Sequence, residues 1–282
     1  MAGLSIQDHR RDLAGLKYVY PVLSRRAGGL SIGINVNTNN ACNWRCLYCQ
    51  VPALVLGGAP PVDFELLEAE LRWFLEQVNN GAFYKQFQVA PEHQVIKDIA
   101  LSGNGEPTSI KEFERLIDLI GRVAQASALL PSIKLVIISN GSLLHLPGVQ
   151  AGLKHFNKLG GKLWFKLDSA VPERRKVINN SRQSQQQLLR KLHLALELCT
   201  TKIQTCIFKY RGQSWSATEF VEYLALLAQL QASGYQPDIM LYTLARPSLQ
   251  PEAAELSALS REEMQVFADE IARMGFKVSV SV

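Results

Sequence analysis

Cysteine is scarce in this chain: five residues in 282, three of them within the eight positions from Cys42 to Cys49. That distribution is not a disulfide framework, so a reducing compartment is the expected setting. The five histidines show no ligand spacing. No stretch stays apolar for the roughly 20 residues a bilayer-spanning helix needs, and Met1 to Gly15 carries His9, Arg10, Arg11 and Asp12 where a signal peptide would be apolar. A cytoplasmic protein without a membrane partner is therefore expected. Low-complexity segments and linkers are also missing, so nothing divides the chain into separate bodies. Neither sign of charge dominates: 30 Lys and Arg stand against 25 Asp and Glu, and the resulting pI near 8.9 only mildly favours an anionic partner. With 47% hydrophobic and 20% charged residues, the composition is that of a soluble globular protein able to bury a sizeable core, and α/β barrels reach this length as one domain.

Hydrophobic periodicity organises the rest. Residues 1–30, with paired bases at Arg10-Arg11 and Arg25-Arg26 and a break at Gly28-Gly29, read as an N-terminal extension packed on the main domain, residues 31–282. Ser31 to Thr38 alternates Ile32, Ile34 and Val36 with small or polar residues, a strand running into the cysteine stretch. Further strands are expected over Val95 to Ser102, Lys134 to Ser139, Leu163 to Asp168, Ile203 to Phe208, Ile239 to Leu244 and Phe276 to Val280. Between them lie helical patterns. Asp63 caps one that buries Leu67, Leu71, Phe74 and Val78, and capping boxes are expected at Ser109-x-x-Glu112, Ser216-x-x-Glu219 and Ser260-x-x-Glu263. Strands alternating with helices imply a parallel sheet. About six such units imply a partial TIM-type (βα)6 barrel, here with an N-terminal extension and a short C-terminal strand, and its active face at the strand C-termini.

The stretch Cys42-Asn43-Trp44-Arg45-Cys46-Leu47-Tyr48-Cys49 spaces its thiols as C-x-x-x-C-x-x-C. A loop wrapped around a metal brings three such thiols to one point, and thiolates are what iron-sulfur clusters use. Three of the four ligands of a 4Fe-4S cluster leave one iron open, which favours chemistry over electron storage. An incomplete zinc site with a distant fourth ligand, or plain buried thiols, are the competing readings, against which stands the paired Cys or Cys/His spacing usual for zinc.

On this loop, with Tyr48 just before the last Cys, the chain resembles the radical S-adenosylmethionine (radical SAM) superfamily. The resemblance implies a 4Fe-4S cluster on Cys42, Cys46 and Cys49 and S-adenosylmethionine on the open iron, cleaved by one-electron reduction to a 5'-deoxyadenosyl radical. It also implies a partial barrel from Ser31 onward and an electron donor such as flavodoxin or ferredoxin. Ser102-Gly103-Asn104-Gly105-Glu106-Pro107-Thr108 resembles the family's Gly-Gly-Glu-Pro element, with Asn104 where the first Gly would stand, so Gly105 and Glu106 are expected at the cofactor's methionyl end. Glycines in such a turn supply positive φ or close approach, and Asn tolerates left-handed geometry. Ser139 and Asn140 resemble the Thr/Ser-Asn-Gly element that faces the cofactor's carboxylate and ribose. Together with the Cys46-Leu47-Tyr48-Cys49-Gln50 phrase, the Glu106 loop is similar to the subgroup that includes the tRNA wyosine-synthesis enzyme, although this chain has no Cys before Cys42 for a second cluster.

Three further expectations concern the barrel interior and its rim. Lys166 and Asp168 alternate with apolar residues and are expected to face the lumen near the ribose, or else to form a mutual ion pair. Gln204 is expected at the adenosyl group, although the Gly-x-Ile-x-Gly element of relatives is absent there, and Arg246 is expected at the barrel mouth. Cys199 and Cys206 read as buried, inert thiols. Arg174, Arg175, Lys176 and Arg182 after the fourth strand, with Lys209 and Arg211 after the fifth, are expected to form a basic rim for an anionic substrate such as RNA, with Asn179 and Asn180 contributing hydrogen bonds. Three functions stay open at this level: radical modification of a nucleic-acid base, radical activation of a peptide or protein, and a non-enzymatic iron-sulfur module.

Overall fold

The computed structural model describes residues 14–24 and 28–282, so the paired bases Arg10-Arg11 and Arg25-Arg26 lie outside the described residues. One eight-stranded sheet dominates. In our labels its strands are β1 (Val19–Ser24), β2 (Gly29–Ile34), β3 (Ile96–Leu101), β4 (Lys134–Ser139), β5 (Lys162–Lys166), β6 (Thr201–Cys206), β7 (Asp238–Tyr242) and β8 (Val278–Ser281). They lie in chain order, with β1 antiparallel to β2 and every later pair parallel. Six parallel strands plus a short last one match the expected architecture, an open half-barrel curled around a cavity.

The segment expected as a packed extension instead joins the sheet, since Val19 to Ser24 pair residue by residue with Ile34 to Gly29. The first parallel strand also ends at Ile34, four residues short of Thr38. The cause is Asn35, whose Oδ1 accepts from Asn37 N (3.1 Å) and Asn104 N (3.0 Å), and Asn37, whose Nδ2 donates to Ala41 O (2.9 Å). These side chains substitute for ladder partners and turn the backbone into the cysteine loop.

Outside the sheet pack α1 (Phe64–Asn79), α2 (Phe113–Ala126), α3 (Pro147–Lys158), α4 (Pro172–Asn179), α5 (Gln185–Leu198), α6 (Ala217–Ala232) and α7 (Arg261–Arg273). Asp63 caps α1 through Leu66 N, and Leu67, Leu71, Phe74 and Val78 are buried as the periodicity requires. Reciprocal capping boxes form at Ser216/Glu219 and Ser260/Glu263, and a third, unanticipated one at Ser184/Gln187. Ser109 does not cap α2. Its Oγ donates to Glu106 O (2.7 Å) and accepts from Ala59 N (2.9 Å), and α2 begins after Glu112 with no side-chain cap. The hydrophobic core lies between the helices and the outer face of the sheet, where Ile32, Ile99, Ile137, Phe165, Ile203 and Ile239 are buried. Alternation then sends Ser31, Asp98, Val136, Trp164 and Gln204 to the concave face, which lines the cavity. Among the described residues no helix is long and apolar enough to cross a membrane.

Candidate active site

The cysteine loop crosses one mouth of the half-barrel, pinned by segments far away in sequence. Arg45 N and Leu47 N donate to Asn179 O (3.1 Å) and Ile178 O (2.8 Å) at the end of α4. From the other side Ser248 Oγ donates to Leu47 O (2.6 Å), Leu249 N to Cys49 O (2.9 Å) and Gln250 Nε2 to Val51 O (3.0 Å). A two-pronged Arg45–Glu252 ion pair, both contacts 2.7 Å, closes the clamp. Sequence reasoning found Arg246 in this region but missed Ser248, Gln250 and Glu252, because a pairing across some 200 positions leaves no periodic signal.

Cys42, Cys46 and Cys49 all face the cavity, about 990 Å³ in volume. Among the described residues, no three His, Cys, Asp or Glu side chains are gathered tightly enough to enclose a single ion. Burial pushes the Cys42 thiol up to about 11, against the Trp44 N–H that favours its thiolate. Cys46 is pushed up to about 12, again by burial, although Lys166 and the Asn179 Nδ2 donor at 3.3 Å pull the other way. Burial thus holds these sulfurs as neutral thiols.

Behind the loop sits a polar knot. Asp168 is 1% exposed, and its carboxylate accepts from Asn179 Nδ2 (2.7 Å), Cys206 N (3.0 Å) and the Tyr48 hydroxyl. Lys166 Nζ lies 3.7 Å from the same carboxylate and donates to the Tyr48 hydroxyl. Burial alone would lower the Lys166 ammonium's pKa, but Asp168 holds it well above the ordinary value. The two readings of this pair are thereby divided: Lys166 lines the cavity, whereas Asp168 does not and works as its buried partner.

Across the mouth, the Gly103–Thr108 turn fixes Glu106, which is 2% exposed. Oε1 accepts from Thr108 Oγ1 (2.6 Å), Ser139 Oγ (2.7 Å) and Thr108 N (3.2 Å), and Oε2 accepts from Asn140 N (2.7 Å). Burial nevertheless keeps its pKa above the usual carboxylate range. The glycines serve by close approach and not by positive φ, correcting the expectation: a Cβ on Gly105 would meet Ala41 O at 2.1 Å, and one on Gly103 would meet Asn35 Oδ1 at 2.3 Å. Asn104 is not left-handed either. Its Nδ2 donates to Asn40 Oδ1 (2.6 Å), while its own Oδ1 is buried without a hydrogen-bond partner, as is Gln204 Oε1.

Gly105, Glu106, Asn140, Tyr48, Gln204 and Arg246 line the same cavity as the cysteines, whereas Ser139 stands behind Glu106 as a donor. Cys199 and Cys206 are buried, and Cys206 also touches the cavity. The six bases do not form one free basic rim. Arg175 is 1% exposed and donates to the carbonyls of Ser169, Ala170 and Gln183, because α4 turns it inward. Arg174 pairs with Glu219 (3.1 Å), Lys209 with Glu263 (2.7 Å) and Arg211, which stays exposed, with Glu255, while Lys176 and Arg182 are exposed without an acidic partner among the described residues. Asn179, expected at a nucleic-acid surface, is 0% exposed inside the knot.

Several known proteins are similar to this chain. A UPF0026 protein of Helicobacter pylori is 31% identical over 138 residues, 49% of this chain and 39% of its own length, so the chain spans well under two thirds of that relative. A solved structure of TYW1 with a lysine-pyruvate adduct bound aligns with a TM-score of 0.55 at 18% identity, covering 86% of this chain and 73% of that one. The structure of native anSMEcpe with bound AdoMet and a Kp18Cys peptide gives 0.52 at 16% identity, over 89% and 63%. At these identities the structural likeness is one of fold. The model of the radical SAM superfamily matches residues 36–224, from the end of β2 through β6 and into α6, and on that match over more than half its length the chain belongs to the radical SAM superfamily.

Proposed function

We propose that this chain is a radical SAM enzyme that acts on a substrate held in its half-barrel. The carrying observation is that the three loop cysteines, the Gly105–Glu106 turn and Gln204, whose buried Oε1 has no partner, line one cavity. These residues fit the implied groups: Cys42, Cys46 and Cys49 line one cavity and would hold a 4Fe-4S cluster, whose binding would displace the protons that burial keeps on Cys42 and Cys46. Asn104 Oδ1 and Gln204 Oε1 are acceptors enclosed without donors, which a cofactor's N–H and O–H groups would satisfy. When bound, the cluster and S-adenosylmethionine supply reductive cleavage to a 5'-deoxyadenosyl radical, driven by an electron donor such as flavodoxin or ferredoxin in a reducing, cytoplasmic setting.

The chain's own residues bind and orient. Glu106 presents a carboxylate to the cofactor's ammonium, its position fixed by Thr108, Ser139 and Asn140. Lys166, held by Asp168, places a positive charge against Tyr48 of the cysteine loop. The α4 and Ser248–Glu252 clamps fix the position of that loop at the cavity.

Anaerobic reconstitution with iron and sulfide, followed by S-adenosylmethionine and dithionite, tests the reading. Wild type should release 5'-deoxyadenosine and methionine. Cys42→Ala, Cys46→Ala and Cys49→Ala should lose iron and activity, while Cys199→Ala retains both. No 5'-deoxyadenosine from fully iron-loaded wild type, or a complete cluster in Cys46→Ala, would sink it.

A further inference from the structure

The cavity extends well below the cysteine loop. Among the described residues, two carboxylates line it. Glu106 is at the mouth and is already engaged by four donors, whereas Asp98 lies deep in the lumen on β3. Asp98 to Ser102, where the Glu106 turn begins, is four residues of strand, roughly 13 Å at the usual rise. Pairing in register sets Ser31 of β2 beside Asp98, and Ser31 Oγ donates to Asp98 Oδ1, the only hydrogen bond to this carboxylate among the described residues. Both side chains belong to residues more than nine-tenths buried, 7% and 8% exposed.

Between this pair and the polar mouth the lumen is apolar. Ala100, Val136, Ile138 and Trp164 occupy the concave positions of β3, β4 and β5. The antiparallel edge strand β1 adds Tyr20 to the lining: its ring lies against Gly33, where a Cβ would meet it at 2.2 Å, and its hydroxyl reaches Ser102 Oγ at 3.0 Å. Lys134 neighbours Asp98 across the sheet, but its side chain is exposed at the rim and only partly offsets the enclosed charge, so burial still dominates over Ser31 and Lys134 and raises the Asp98 pKa. An enclosed carboxylate with one neutral donor is costly unless a ligand supplies the missing charge.

We propose that Asp98 and Ser31 anchor the substrate in the lumen, taking a nitrogen cation carried on an apolar arm that lies along Val136, Ile138 and Trp164. This rests on the catalytic reading above and names the substrate class of that site: an amine or guanidine at the end of an aliphatic or aromatic chain. Trp164 adds a face on which such a cation or its arm can lie. The arm would leave its other end near the cysteine loop and Glu106.

The probes are n-hexylammonium and its uncharged match 1-hexanol, titrated by calorimetry into the reconstituted holoprotein. Wild type should bind the ammonium at least about ten-fold more tightly than the alcohol, the scale of a charge-assisted hydrogen bond. Asp98→Asn should abolish that preference, and Ser31→Ala should reduce it part way, with iron content and thermal melting reporting that each variant is folded. Equal binding of the two probes by wild type, or a preserved preference in Asp98→Asn, overturns the proposal. Should Asp98→Asn fail to fold, an undiminished preference in Ser31→Ala does the same. Cofactor cleavage by wild type is measured in parallel. An ammonium preference without cleavage refutes the catalytic reading while supporting the anchor, and cleavage without the preference does the reverse.

Discussion

Replacing Asp168 with Asn keeps the shape of the side chain and removes the charge that holds the polar knot together. The wild-type carboxylate accepts from Tyr48, Asn179 and Cys206 and lies 3.7 Å from the Lys166 ammonium. An amide nitrogen facing Asn179 Nδ2 or the Tyr48 hydroxyl would lose an acceptor there, and Lys166, whose side chain is 17% exposed, would keep its charge without a partner. Breaking one side of a buried pair costs about 3 to 5 kcal/mol, and the residual exposure of Lys166 sets the expectation near the lower figure, about 3 kcal/mol. For a domain of this size that is a drop in Tm of roughly 6 to 12 °C. Because Asn179 also donates to Cys46 Sγ, iron per chain after reconstitution should fall as well. The assay is thermal melting and iron content across Asp168→Asn, Lys166→Met and the double variant. Removing Lys166 should restore part of the loss, since the uncompensated ammonium is then gone. A loss in Asp168→Asn below about 2 °C, or strict additivity in the double variant, would refute an ion-paired knot.

Glu106→Gln should weaken S-adenosylmethionine binding by about ten-fold or more, since a charge-assisted hydrogen bond is lost. It should also lower Tm, because an amide cannot accept from all four of the donors around it; equilibrium binding and melting check both. Arg175→Ala should destabilise by about 2 to 4 kcal/mol, as its enclosed carbonyl partners lose their donor, while Lys176→Gln and Arg182→Gln stay within about 0.5 kcal/mol in denaturant unfolding. Neutralising that exposed pair should change the salt dependence of RNA binding little if the former rim has no role. Finally, iron loading should be faster at pH 8.5 than at pH 7. Thiols pushed up to about 11 and 12 are protonated at both values, ligation must displace those protons, and raising the pH assists it; a rate independent of pH would contradict this.

Local pattern carried much of the architecture. The strand at Lys134–Ser139 coincides with its apolar run, and the caps at Asp63, Ser216 and Ser260 form as written, because period and capping are decided by neighbours within one turn. The cysteine spacing and the Glu106 turn were equally legible, being contiguous in sequence. Tertiary structure decided the rest, since each outcome depended on residues remote along the chain. Val19 to Ser24 became an edge strand because β2 offered a free ladder, and Ser109 gave up its cap for Glu106 and Ala59. Arg175 looked like surface charge until α4 turned it onto the carbonyls of its own loop, and Asn179 looked like a turn residue until Asp168 and Cys46 claimed it. A sequence states which side chains are charged, but only the fold sets which are buried and what they meet. Asp98, unremarkable on its strand, becomes a cavity-lining carboxylate because the sheet curls its concave face around it.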